Sequence, residues 1–378
     1  MIESLMNGWP GRRLASTWRS RVARARGFFV KDGVGQLKKA ATVVRHIGQF
    51  RRIDRALHDH RLATCLLLSY RLGLFDVLSD EPMGAAEIAR RSGLDEKATK
   101  NLLSILESLD VIDGEGQRFW TTSFGREFFD ARSPVSLVPI FEVCETYAHA
   151  YPDLLEAART GARPPMLDIF DETGRIDSLL KGVNYYLDQA ARELFVTTDL
   201  PQVRHFIVGS MGVSFSALVM EAFPESQVTY GCLPHLVTRI PQLCEVYGVD
   251  RSRVVDMHAH GGEPARDQWG SEAFDLVFLT KKMILDPDND LGTKFAEKSF
   301  EVLNPGGAAL FWETISDEGT APASQAMEAF LDFGVSPRGP VLRGATFRRQ
   351  LEAIGFSEVE VVPCMEGATT FVIARKSG

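Results

Sequence analysis

From Arg204 to the C-terminus, short apolar runs recur between stretches of helical periodicity. The runs "HFIVG", "QVTYG", "RVVDM", "FDLVFLT", "GAALFWE", "SEVEVVP" and "TTFVIAR" have the length and β-branched content of buried strands. The gaps at 214–223, 234–247, 290–303 and 343–354 read as helices. Alternation of this kind predicts a doubly wound α/β sheet, with ligands held in the crevice at the carboxyl ends of its first strands. Residues 135–200 read as helical and carry Phe141, Tyr147, Tyr151, Met166, Phe170, Tyr185, Tyr186 and Phe195. Such side chains suit the roof of a hydrophobic pocket or an ordinary core equally well.

Upstream the pattern changes to a compact helical unit. "RLATCLLLSYRLGLFDVLSD" is a mostly apolar helix ending near Gly73. "GAAEIARRSGLDEKATKNLLSILESLDVI" reads as helix, turn at Gly93, helix, and "GQRFWTTSFGREFF" as a short strand pair. Together they form a winged-helix-like unit, whose second helix is the element that would read DNA. That helix carries Asp95, Glu96, Glu107 and Asp110 against Lys97 and Lys100, while Leu102, Leu103, Ile105, Leu106 and Leu109 suit packing. A groove-reading face should be basic, so dimerisation is expected and nucleic acid is not. The chain divides into an N-terminal arm (1–53), a winged-helix-like dimerisation domain (54–134), a helical linker lining a pocket (135–200) and an α/β domain (201–378).

Charge separates the arm from the rest. Residues 1–60 hold 13 Lys/Arg and 4 Asp/Glu, against 29 and 46 in the remainder. In "RRLASTWRSRVARARGFF" a stripe of Leu14, Trp18, Val22, Ala25 and Phe29 is surrounded by arginines. A basic amphipathic helix of this type suits a membrane surface, packing on the acidic body or a dimer mate, or targeting. No run of eighteen apolar residues crosses a membrane. Five scattered cysteines without CxxC spacing argue for a reducing, cytoplasmic setting, peripheral to a membrane if the arm binds one. The pairs His58/His60 and His258/His260 lack a third ligand at metal spacing, so no metal is expected.

The order of these units, with "LLEAARTGARP", "AFPESQVTYGCLPHLV", "FEVLNPGG", "NPGGAALFWE" and "FRRQLEAIGF", resembles the plant-type and bacterial S-adenosylmethionine-dependent O-methyltransferases. The C-terminal half resembles the bacteriochlorophyllide methyltransferase branch. The likeness covers about residues 54–376. It implies a class I methyltransferase doubly wound sheet, a homodimer, and a bulky, ring-containing hydrophobic acceptor from a small-molecule or pigment pathway.

Where the family binds its cofactor, this chain departs from the pattern. The first-strand acid's place is Ile207, and the turn glycines' places are Gly209, Met211 and Val213. The ribose-binding acid's place is Cys232, the adenine-side acid's is His260, and the catalytic histidine's is Leu285, which cannot accept a proton. Each lost hydrogen bond to a charged group is worth roughly 1.5–3 kcal/mol, so two losses weaken binding about a hundredfold or more. The expectation is a crevice emptied of S-adenosylmethionine, with a cofactor-independent reaction or simple ligand binding. The alternatives are an active O- or C-methyltransferase with an altered cofactor site, and a non-catalytic scaffold or regulator. The resemblance places the acceptor chamber at Tyr147, Tyr186, Met283, Trp312, Met327, Phe330 and Phe333. Glu313 and His149 are its titratable, candidate catalytic groups.

Overall fold

The computed structural model describes residues 46–133, 135–160, 175–209, 212–232, 234–259, 269, 273–280, 291–313, 315 and 344–378. The basic stripe at 14–29, and Met211, His260, Met283, Leu285, Met327, Phe330 and Phe333, lie outside them. The chain divides into two compact units, Met1–Trp120 and Thr121–Gly378.

In the first unit, α1 (Ile47–Arg71) closes where Gly73 adopts a left-handed φ of 67°, which glycine takes without steric cost. The single-turn α2 (Leu74–Val77) follows, then β1 (Met83–Gly84) and α3 (Ala85–Ser92), whose Ala85, Ile88 and Ala89 turn inward at helical spacing. Helix α4 (Glu96–Ser108) starts where the Asp95 carboxylate accepts the Ala98 N–H at 2.8 Å, and buries Leu103 and Leu106. A three-stranded sheet sets β3 (Arg118–Thr121) between β1 and β2 (Ile112–Glu115). Of the strand pair expected in "GQRFWTTSFGREFF" only β3 forms there; its neighbour β2 lies just upstream. Ser123–Phe129, at the start of the second unit, is instead helix α5, because Thr122 Oγ1 accepts the Gly125 N–H at 2.9 Å and caps it. Along α1 and at its C-cap, Ile53, Leu57, Leu68 and Leu72 remain exposed.

The second unit holds two long helices, α6 (Val138–Thr160) and α7 (Arg175–Thr197), and a seven-stranded sheet. The helices pack closely at Gly182, where any Cβ would run into Val143. The strands are β4 (His205–Gly209), β5 (Gln227–Cys232), β6 (Val254–Ala259), β7 (Phe274–Leu279), β8 (Leu303–Glu313), β9 (Glu358–Cys364) and β10 (Thr369–Arg375). Their order is β6-β5-β4-β7-β8-β10-β9; β10 runs antiparallel to both its neighbours, β8 and β9. This is the doubly wound arrangement expected, with the order reversing between β4 and β7.

Side-chain alternation sorts the core by face. Phe206, Val208, Phe278, Leu310, Trp312 and Phe371 point to the side covered by α7, α8 (Val213–Ala222) and α10 (Ile240–Tyr247). Ile207, Val277, Leu279, Ala309 and Phe311 point to the side covered by α11 (Leu291–Val302) and α12 (Gly344–Ile354). The expected helix at 234–247 is two, α9 (Pro234–Val237) and α10, since Pro241 lacks the N–H a continuous helix requires and favours a first turn.

Candidate functional site

The crevice lies where β4 and β7 part. Gly209 ends β4 and Gly212 caps α8; a Cβ on Gly212 would stand 2.5 Å from a Phe278 ring carbon and 2.8 Å from Val208 Cγ1. The first turn of α8 is therefore pressed onto β7, and Phe215 stacks on Phe278 at 4.0 Å between centroids. Val213, at the place of a turn glycine, is fully buried in the core as the first residue of α8. Ile207 is also core, and contributes no polar atom at the place of the family's first acid.

Three polar residues that the motif reading passed over meet this crevice. Asn184, buried on α7, donates from Nδ2 to the Leu180 carbonyl at 2.8 Å, and its Oδ1 accepts the Ser214 N–H at 2.8 Å. An amide thus occupies a donor of the α8 N-terminus, the kind of group that binds phosphate in dinucleotide folds. Ser214 Oγ and Thr280 Oγ1 are buried with no hydrogen-bond partner. Thr280 directly follows β7, and by strand alternation continues the face of Leu276 and Phe278. Leu279 pairs with Phe311, so the next residues, Thr280 and Trp312, lie side by side in register. The signal in the sequence was a hydroxyl closing the apolar run "FDLVFLT" and an amide inside an apolar helix.

The expected acceptor-side residues are placed as follows. Glu313 ends β8 and is buried at 5% exposure, facing the α12 side beside Thr370 on β10. Its main-chain carbonyl accepts from Thr369 Oγ1 at 3.4 Å. Trp312 is packed in the core, on the opposite face. Tyr186 on α7 is exposed and meets Tyr185 edge-on at 6.0 Å. Tyr147 and His149 belong to α6, and Cys232 ends β5. The β9–β10 turn stands at this same end: Met365 and Glu366 have left-handed φ values of 54° and 55°, and the Met365 N–H donates to Glu193 of α7 at 2.7 Å. A groove of about 600 Å³ lined by Tyr185, Asp188, Arg192, Glu221, Tyr247 and Arg253 opens toward the C-terminal ends of α8 and α10, away from the crevice. Its cations are engaged, Arg192 with Asp188 and Arg253 with the carbonyls of Phe223 and Ser226. Among the described residues no cluster of His, Cys, Asp and Glu could hold a metal ion, and no helix is long and apolar enough to cross a membrane.

Comparison with known proteins places this geometry. Residues 55–129 match the O-methyltransferase dimerisation domain. The chain is 24% identical over 322 residues to a 3-hydroxy-5-methyl-1-naphthoate 3-O-methyltransferase of Streptomyces sahachiroi, covering 82% of this chain and 90% of that one. It superposes on an O-methyltransferase family protein from Burkholderia thailandensis with a TM-score of 0.74 at 19% identity, over 87% of this chain and 98% of the other. Human N-acetylserotonin methyltransferase in complex with SAM gives 0.73 at 18% identity, with the same coverage. The fold is the class I methyltransferase α/β fold with an N-terminal dimerisation domain.

Proposed function

We propose that the protein is an S-adenosylmethionine-dependent methyltransferase that methylates oxygen on a flat, hydrophobic acceptor, as a homodimer formed through residues 55–129. The observation that carries this reading is the pair of buried, unpartnered hydroxyls at the switch point. A buried polar group left unpaired costs about 1–3 kcal/mol, and Ala or Val in these places would remove that cost. A crevice without a ligand has no use for it. The emptied crevice expected from Ile207, Cys232 and His260 gives way to the cofactor-using alternative, which the whole-length likeness to methyltransferases also supports. The exposed apolar residues Ile53, Leu57 and Leu68 of α1, with Leu72 at its C-cap, support the dimer.

The residues present fit such a cofactor through hydroxyls and a helix N-terminus rather than through carboxylates, and the Asn184 amide of α7, which takes the Ser214 N–H of α8, suits a ligand without phosphate. When bound, S-adenosylmethionine supplies an electrophilic methyl group. This chain's part is to hold the acceptor oxygen and take its proton. Glu313, buried at the carboxyl end of β8, has the chemistry for that transfer, which Leu285 lacks. His149 on α6 is the second candidate. We assign the acceptor side to Tyr147, Tyr186, Met283, Met327, Phe330 and Phe333, whose rings and thioethers suit a planar substrate, whereas Trp312 is core.

The test is transfer of a labelled methyl group from S-adenosylmethionine to hydroxylated naphthoates. Labelled product is expected, and Glu313→Gln should lower kcat about a hundredfold while S-adenosylhomocysteine affinity holds. Calorimetry that detects no S-adenosylhomocysteine binding at millimolar concentration would overturn the proposal.

A further inference from the structure

Every residue of α1 from Arg51 to Arg61 is exposed. The stretch carries Arg51, Arg52, Arg55 and Arg61 against Asp54 and Asp59, and among the described residues none of these arginines forms an ion pair or a side-chain hydrogen bond. By contrast, Arg90 and Arg91 in the same unit each pair with Glu87 at 2.7 Å, and Lys100 pairs with Glu96 at 2.6 Å. At 3.6 residues per turn, Arg51, Arg52 and Arg55 lie on the side of α1 opposite Ile53, Leu57 and Leu68. The face that suits a second copy is therefore not the face that carries the charge. Upstream, residues 1–45 add 10 Lys/Arg and 2 Asp/Glu, and between Glu3 and Asp32 seven cations occur with no acid among them.

We propose that residues 1–61 bind the surface of an anionic bilayer, with the basic side of α1 and the arm upstream of it as the contact. The inference is independent of the reaction proposed above. Each Lys or Arg held near anionic lipid is worth about 1 kcal/mol, and a cation already paired within the protein does not supply it. The unpaired arginines of α1 do. Charge alone would suit a nucleic acid as well, so the apolar residues decide. Leu14, Trp18, Val22 and Phe29 recur at intervals of four, four and seven residues among the six arginines from Arg12 to Arg26 and beyond them. A phosphate backbone offers such side chains nothing, whereas the boundary between headgroups and acyl chains takes both kinds. The chain beyond residue 60 holds 29 Lys/Arg and 46 Asp/Glu, and the same surface repels it. One end adheres while the rest stays in water. A flat hydrophobic acceptor of the kind proposed above partitions into that boundary, so attachment brings the enzyme to its substrate.

The experiment is co-sedimentation of the full-length protein with vesicles of phosphatidylcholine alone and of phosphatidylcholine mixed with phosphatidylglycerol. Binding is expected to the mixed vesicles only. It should weaken as salt is raised, since the Debye length falls from about 10 Å at 0.1 M to about 3 Å at 1 M. Arg51→Gln, Arg52→Gln and Arg55→Gln together should lower the affinity at least about tenfold. Trp18→Ser, which changes no charge, should lower it about tenfold as well. The arginine variant should keep the wild-type Tm and the wild-type mass in light scattering, because its substituted side chains are exposed and unpaired. Double-stranded DNA at equal phosphate concentration should not displace the protein from mixed vesicles. The proposal is overturned if the protein stays in the supernatant with mixed vesicles, if neutral vesicles bind it equally, if the arginine variant binds like wild type, or if DNA strips it off. S-adenosylhomocysteine binding should be the same in wild type and the arginine variant, which keeps this test apart from the catalytic reading.

Discussion

The two ends of the central sheet are built on opposite terms. At the amino end, polar groups are tied down. The Asp275 carboxylate accepts the N–H groups of Arg204 and His205 at 2.8 and 3.1 Å and the Asn304 amide at 2.8 Å, linking β4, β7 and the start of β8. Lys376 Nζ donates to the carbonyls of Phe300 and Leu303 at 3.0 and 2.7 Å, and Arg253 to those of Ser226 and Phe223 at 2.7 and 2.9 Å. At the carboxyl end stand the unpartnered hydroxyls of Ser214 and Thr280 and the left-handed turn at Met365 and Glu366. Both ends share strands and core, so the contrast is not one of burial. It separates a region whose polar groups bond to the protein itself from one in which two buried hydroxyls do not.

The largest effect should come from the amino end. Asp275→Ala removes three hydrogen bonds to a carboxylate and leaves two strand-end N–H groups without it, so unfolding in denaturant should show a loss of about 3 kcal/mol. A loss below about 1 kcal/mol would break the comparison. The pH profile sharpens it. Burial pushes the Asp275 carboxyl up, but the bonds from Asn304, Arg204 and His205 outweigh burial and leave its pKa below the ordinary value. A carboxylate depressed in this way contributes stability above its unfolded pKa of about 3.9, and loses it as the pH falls through the lower folded value. His205 is depressed as well, first by burial, against the opposing Ala273 carbonyl and Asp275. Its contribution is complete above about pH 6.5 and is lost on acidification through its folded pKa. Stability should therefore fall in two stages below neutrality, with Asp275→Asn abolishing the lower one. A profile flat down to pH 3 would contradict both assignments.

Next in size is the turn. Met365 and Glu366 are the non-glycine residues among three successive left-handed positions in the four-residue β9–β10 turn, the third being Gly367, and each non-glycine residue there costs about 1–2 kcal/mol. Met365→Asn with Glu366→Gly should raise stability by about 1–2 kcal/mol, read as an increase in Tm. A lower Tm would mean that the Met365 side chain, which packs against the core, is worth more than the strain.

The same contrast explains what could be read from the residues alone. Strands β4 and β10 stand at "HFIVG" and "TTFVIAR", because alternating burial on a two-sided sheet leaves an unmistakable apolar run. The helix at Ser123–Phe129 was hidden, since "SFGREFF" has the aromatic content of a strand and only the Thr122 cap decides against it. Motif positions such as Ile207 and Cys232 were legible as departures from a known pattern, which made the crevice look empty. Ser214, Thr280 and Asn184 were not legible, because a serine, a threonine and an asparagine carry no signal until the fold shows which hydroxyls and amides have partners.

The smallest effect is the most diagnostic. Thr229 and Thr280 are both buried threonines of the sheet's central region, at 2% and 0% exposure. Thr229 Oγ1 is 2.9 Å from His205 Nε2, in the tied-down half, whereas Thr280 Oγ1 has no partner. Valine replaces threonine with nearly the same shape and deletes only the hydroxyl. Thr229→Val should cost about 1 kcal/mol in the ligand-free protein, because it removes one hydrogen bond and leaves His205 Nε2 without that partner. Thr280→Val should cost nothing, or add up to about 1 kcal/mol, because it removes a desolvated group that gains nothing from folding. Equal losses would show that Thr280 is already satisfied without a ligand, by an internal water for instance, and the two ends of the sheet would then be built alike. A neutral or stabilising Thr280→Val beside a destabilising Thr229→Val would locate, in a pair of threonines, the point at which this sheet stops serving its own stability.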